Sequence, residues 1–130
     1  MILIDSCGWI EYFGEGPLAN QYASFIEETE RNKIIMPTIV IYEVYKKIKS
    51  TKGEEKALEV YAQMSLAQVV ELTSTLSLKA ADISIKNEVA MADAIVIATA
   101  KDYQAQIITS DQHFKKVNGV KLINKKNEGS

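Results

Sequence analysis

Ile2-Leu3-Ile4-Asp5-Ser6-Cys7-Gly8-Trp9-Ile10-Glu11-Tyr12-Phe13 packs a strand, a stop and a helix into one short stretch. Residues 2–5 read as a buried strand, aliphatic until Asp5-Ser6 halts it. Ser6 can cap a helix carrying Trp9, Ile10, Tyr12 and Phe13, which Gly14 and Gly16-Pro17 close. The same alternation continues outward along the chain. Leu18 to Arg31 shows Leu18, Tyr22, Phe25 and Ile26 at helical spacing with Glu27, Glu28 and Glu30 outward. Ile34-Ile35-Met36 is a second strand. Pro37-Thr38 opens a helix that runs to about Lys52, where Gly53 breaks it. Glu54 to Leu66 is a helix whose inner face is expected to hold Ala57, Leu58, Tyr61 and Met64.

Val69 to Leu72 reads as the third strand. Ser74 or Thr75 is expected to cap the next helix, with Leu76, Leu78, Ala81 and Ile85 turned inward. A further helix runs from near Ala92 to Tyr103, and Ile107 to Ser110 and Val120 to Ile123 supply the last two strands. Strands alternating with helices predict an α/β fold, a parallel sheet with helices on both faces. One domain over residues 1–124 is expected, with residues 125–130 as a disordered tail. Within that tail Glu128-Gly129-Ser130 has the composition of an expression scar.

The bulk properties exclude several classes. A chain of 130 residues, 47% hydrophobic and 25% charged, suits one ordinary globular domain. No apolar run approaches the ~18 residues of a membrane span, and no export signal is visible, so a cytoplasmic home without membrane association is expected. Cys7 is the only cysteine, which removes internal disulfides and cysteine zinc sites. Net charge is −2, yet lysines gather locally: Lys46, Lys47, Lys49 and Lys52 in one run, Lys115, Lys116, Lys121, Lys125 and Lys126 in another. Solvated faces explain such runs as readily as a polyanionic ligand does.

Four acids stand in apolar company. Asp5 ends the first strand, Glu43 interrupts Ile39-Val40-Ile41-Tyr42 and Val44-Tyr45, Asp93 opens Ala94-Ile95-Val96-Ile97-Ala98, and Asp111 follows Ile107-Ile108-Thr109-Ser110. Ligands of open α/β sheets bind beyond the carboxyl ends of the strands, where strand order reverses. Asp5 and Asp111 would meet there if the first and fourth strands are neighbours, and Glu43 lies early in a helix that starts at the same edge. Asp93 joins them only if its helix begins over the crevice. Each acid also has a plainer reading: Asp5, Asp93 and Asp111 as helix or turn caps, and Glu43 as the surface partner of Lys47. Two carboxylates ~4 Å apart repel by about 4 kcal/mol at an effective dielectric near 20. A group of four therefore calls for protons or a divalent ion. Oxygen donors suit Mg²⁺ or Mn²⁺, and such an ion can activate water and orient a phosphate. Ser6 and Ser110 are expected as supporting hydrogen-bonding groups.

The segments ILIDSCGWIEYF, TIVIYEVYKKI, MADAIVIATA and IITSDQHF resemble, in this order, the successive signatures of PIN domains, in particular the VapC-like toxins. The resemblance spans Met1 to about Ile123 and implies a five-stranded sheet of order 3-2-1-4-5. It also implies an endoribonuclease dependent on Mg²⁺ or Mn²⁺, leaving 5′-phosphate and 3′-hydroxyl ends. Its acidic positions fall on Asp5, Glu43, Asp93 and Asp111, with Ser110 in support. It implies a VapB-like antitoxin whose C-terminal segment blocks the acidic crevice, and a homodimer formed through helices of the N-terminal half.

Lys46 and Lys47, one turn after Glu43, are candidate contacts to flanking RNA phosphates. His113 is expected to pack or hydrogen-bond in the turn with Phe114, and Cys7 to be a small buried thiol. Two other functions compete with the nuclease: a catalytically silent PIN-like binding module, and a phospho-aspartate receiver or phosphatase. The last usually carries a second acid adjacent to its nucleophile or two residues away, whereas Asp5 is followed by Ser6 and Cys7.

Overall fold

A computed structural model describes residues 1–124. The tail expected at 125–130, its two lysines and the scar-like end lie outside the described residues. The sheet contains strands β1 (Ile2–Ile4), β2 (Ile34–Pro37), β3 (Gln68–Val70), β4 (Gln106–Thr109) and β5 (Val120–Leu122). Their order is β3-β2-β1-β4-β5, as the PIN-domain resemblance implied, and all are parallel, as the strand–helix alternation predicted. Leu3 and Ile4 point to opposite faces of β1, yet both are 0% exposed. Helices must therefore cover both faces, which is why the central strands read as unbroken apolar runs.

Six helices connect and cover the strands: α1 (Ser6–Phe13), α2 (Ala19–Glu28), α3 (Thr38–Lys52), α4 (Glu54–Met64), α5 (Ser74–Asn87) and α6 (Met91–Tyr103). Every residue of α6 from Ala94 to Ala100 is buried, so this helix is apolar on all sides and lies in the centre of the domain. Trp9, Tyr22 and Phe114 are the largest fully buried side chains. Short 3-10 turns at Arg31–Lys33 and Gln112–Phe114 tighten the entries to β2 and the exit from β4.

Several local expectations are corrected. The cap of α5 is Thr73, whose Oγ1 accepts from the Leu76 backbone N–H at 3.1 Å, rather than Ser74 or Thr75. On α4 the buried residues are Ala57, Val60 and Met64, while Leu58 and Tyr61 are exposed. On α5 they are Leu76 and Ala80, while Leu78 and Ile85 face outward. Both helices carry apolar residues on two sides, and the expected inward position Ala81 is exposed as well. Among the described residues no helix is long and apolar enough to cross a membrane.

Candidate active site

The direction in which strands are added to the sheet reverses between β1 and β4, although the two run parallel. The chain builds outward from β1 to β2 and β3, then returns to lay β4 on the other side of β1. This is the switch point at which open sheets form a crevice. The register pairs Ile4 with Ile108, and the Asp5 N–H extends the ladder by donating to the Ile108 carbonyl at 3.1 Å. Asp5 is thereby held level with Thr109.

Asp5 is only 5% exposed. Its backbone caps α1 through its carbonyl, which accepts from the Gly8 N–H at 2.9 Å, while its carboxylate makes no side-chain cap. The plainer reading of Asp5 as a side-chain cap is therefore not met. The carboxylate instead accepts from the Thr109 hydroxyl at 3.2 Å, with the Cys7 thiol at 3.7 Å. Burial pushes its pKa up to about 6; the Ser6 backbone N–H and the Thr109 hydroxyl oppose this, while the charges of Glu43 and Asp93 add to it.

Glu43 sits on α3, half-buried. Burial raises its pKa, the facing Ser6 hydroxyl opposes the rise, and the charges of Asp93 and Asp111 reinforce it. Among the described residues no ion pair joins it to Lys47, so the surface-pair reading fails. Asp93 stands in the first turn of α6, where the helix dipole favours negative charge. Its pKa is raised by burial and by Asp111, and lowered by His113. The start of α6 therefore does lie over the crevice. Asp111 meets its plainer reading as well, because Oδ1 accepts from the His113 backbone N–H at 2.9 Å and caps the 3-10 turn. Four carboxylates from four separate segments thus share one electrostatic environment, and no lysine or arginine among the described residues forms an ion pair with any of them.

Two participants, Thr109 and Tyr22, were not read as site residues in the sequence, and a third, His113, was read only for its turn. Thr109, fully buried, donates to Asp5 and accepts from the Asp111 N–H at 3.0 Å, tying the two aspartates together. Threonine is common in strands, so nothing local marks it. Tyr22, assigned to the core by its helical spacing, also donates its phenol proton to Ser110 Oγ at 2.9 Å. Burial pushes that phenol far up, so it stays a donor. His113 is largely exposed rather than packed, and its Nδ1 lies 3.3 Å from Asp111 Oδ1 and 3.9 Å from Asp93 Oδ2. One donor atom from each of these three residues falls within 4.8 Å of the others, a spacing that an ion can span. Its position two residues after Asp111 was the available signal.

Cys7 is half-buried in a polar nest, with Sγ 3.3 Å from Thr109 Oγ1 and 3.5 Å from Ser110 Oγ. Ser110 is thus held from two sides. Lys46 and Lys47 are exposed on α3, and the Lys46 ammonium stands 5.6 Å from the centre of the Tyr42 ring.

A sequence profile described as PIN domain matches residues 2–120. No curated protein matches the chain by sequence. Among solved structures, a toxin–antitoxin complex from Klebsiella pneumoniae aligns at TM-score 0.77 and 19% identity, covering 96% of this chain and 98% of that one. VapC20 of Mycobacterium tuberculosis, described as a Sarcin-Ricin loop cleaving toxin, aligns at TM-score 0.77 and 15% identity over 92% and 97%. FitAcB from Neisseria gonorrhoeae aligns at 0.71 and 17% over 96% and 98%. At these identities the likeness is one of fold.

Proposed function

The chain belongs to the PIN domain family, and from that premise we propose that it is a divalent-metal-dependent endoribonuclease, the toxin of a toxin–antitoxin pair. One observation carries the reading: the convergence of Asp5, Glu43, Asp93 and Asp111 without a lysine or arginine to neutralise them. Such a set fits a hard cation. Its donors are carboxylate oxygens, the most buried of them is braced by a hydroxyl, and Asp5, Glu43 and Asp93 carry the raised affinity for positive charge that desolvation and mutual repulsion produce.

Asp5, Glu43, Asp93 and Asp111 would hold Mg²⁺ or Mn²⁺, which when bound polarises a phosphate oxygen and acidifies water. The remaining work falls to the chain itself. Thr109 fixes the Asp5 carboxylate and the Asp111 backbone in one frame, so two ligands from different strands keep a constant separation. Ser6 orients Glu43, and Tyr22 fixes the Ser110 hydroxyl at the crevice. Lys46 and Lys47 would neutralise phosphates flanking the scissile bond.

The structures aligned above include a toxin–antitoxin complex. A partner of that kind would quench this site by placing an arginine or lysine among the four acids, the role the metal otherwise fills. A homodimer through helices of the N-terminal half also belongs to this reading. Among the described residues the large exposed apolar side chains of that half's helices lie on α3 and α4, including Tyr42, Leu58 and Tyr61, and none lies on α1 or α2.

The deciding experiment is cleavage of short RNAs with Mg²⁺, Mn²⁺ or EDTA. Asp5→Asn, folded by circular dichroism, is expected to lose cleavage, and EDTA to abolish it in the unaltered protein. Undiminished cleavage in either case would leave a binding module or a different chemistry as the better account.

A further inference from the structure

A cleft of about 1020 Å³ opens directly beside the acids, with Asp93 and His113 at its head. One wall is the end of α5 and the turn into α6; the other is the segment between β4 and β5. Four lysines line it: Lys86, Lys101, Lys115 and Lys116. All four are exposed, and none forms an ion pair among the described residues. Elsewhere some lysines are engaged, Lys79 with Asp102 at 2.8 Å, Lys49 with Glu54 at 3.4 Å and Lys46 over the Tyr42 ring, while others such as Lys47 and Lys56 likewise form no ion pair among the described residues but do not line the cleft. Asp82 and Glu88 also reach the cleft, so with Asp93 four lysines face three acids there. Asn87, Gln112 and Asn118 line the cleft together with the lysines.

We propose that this cleft is the bed of the RNA strand leading away from the cleaved phosphate, held chiefly by Lys115, Lys116 and Lys86. The proposal rests on the nuclease reading above and adds to the α3 contacts a larger set on the opposite flank of the site. Unpaired ammonium groups along a channel that ends at the acids match a polyanion carrying one charge per residue. Amides of the same cleft supply donors and acceptors for base edges and 2′-hydroxyls, the groups by which single-stranded RNA is read. A protein occupant fits less well. An antitoxin segment that delivers arginine or lysine to the acids would be repelled by the lysines of these walls.

The test uses the full chain in the Asp5→Asn background, so that RNA survives the measurement, with fluorescein-labelled single-stranded RNA titrated at increasing KCl. Lys115→Ala/Lys116→Ala is expected to weaken binding about tenfold near 0.1 M salt and to flatten the salt slope by about 1.4, two contacts at ~0.7 each. Lys46→Ala/Lys47→Ala is expected to change the slope less. Equal affinity and slope after removal of Lys115 and Lys116 overturn the proposal, as does a larger loss from the α3 pair. Retained RNA binding with loss of antitoxin binding would give the cleft to a protein instead. If the unaltered chain cleaves no RNA with either metal and the Asp5→Asn chain binds none, the nuclease reading falls and takes this inference with it. Cleavage with an unaffected lysine variant defeats the cleft alone.

Discussion

Asp5 carries an unusual burden for a carboxylate: it is nearly enclosed, and its direct support comes from the Ser6 backbone N–H and one threonine hydroxyl. Its ordinary pKa of 3.8 applies to the unfolded chain, and its folded pKa is about 6. Between those values the folded protein keeps a proton that the unfolded chain has released. Stability therefore falls as pH rises through that window, and the loss is complete above about pH 6. Glu43 and Asp93 are displaced in the same direction and add to the trend. The Asp5 displacement corresponds to at most roughly 3 kcal/mol. Asp5→Asn removes this charge, so in EDTA its melting temperature is expected to exceed that of the unaltered chain at pH 7.5 by more than it does at pH 5. A constant difference across that range would show that Asp5 is not strained by its surroundings. His113 and Thr109 make the complementary point. Their types and positions were visible, but their roles depend on neighbours supplied by other segments.

Helix α1 owes its position to the one residue that has no side chain. A Cβ at Gly8 would come within 2.5 Å of Tyr22 Cε1 and 2.6 Å of Ile4 Cγ2, so α1 lies against both β1 and α2. That closeness sets where Tyr22 stands and hence the 2.9 Å bond that fixes Ser110. Gly8→Ala is expected to cost about 1–3 kcal/mol in urea denaturation through overpacking. Tyr22→Phe, which keeps the ring and loses the bond, is expected to cost about 1 kcal/mol. A neutral Gly8→Ala would mean that α1 can move away freely. The sequence placed α1 and α2 correctly within a few residues, because their apolar spacing has one interpretation. It misphased α4 and α5, where Leu58 and Leu78 were candidates for the core but Val60 and Ala80 fill it. A two-striped helix leaves its inner face to be chosen by the shape of its neighbours.

For the molecule as a whole, the four acids join segments up to 106 residues apart, from position 5 to position 111. An ion bound among them would therefore stabilise the domain rather than a loop. At a concentration one hundred times its dissociation constant, a ligand of the native state adds about 2.7 kcal/mol. For a domain of this size that is a rise in melting temperature on the order of 10 °C. Scanning fluorimetry with Mg²⁺ or Mn²⁺ is expected to show this rise, EDTA to reverse it, and both Asp5→Asn and Asp111→Asn to reduce it. A rise that survives both substitutions would place the ion elsewhere.

The order of strands and helices, and the acids that end β1 and follow β4, are local properties: side-chain periodicity and chain stops act over a few residues and can be read directly. Which strand lies beside which is not local, because any parallel strand offers the same ladder of N–H and carbonyl groups; only the resemblance to PIN domains anticipated the 3-2-1-4-5 order. Folding made that choice by burying both faces of β1 and β4. With it came the linkage of Asp5 to Asp111 through Thr109, the turning of His113 toward two carboxylates, and the lysine-lined cleft beside them. Each of these joins groups that are distant in the chain, so their distances and their shared desolvation exist only once the domain has closed around them.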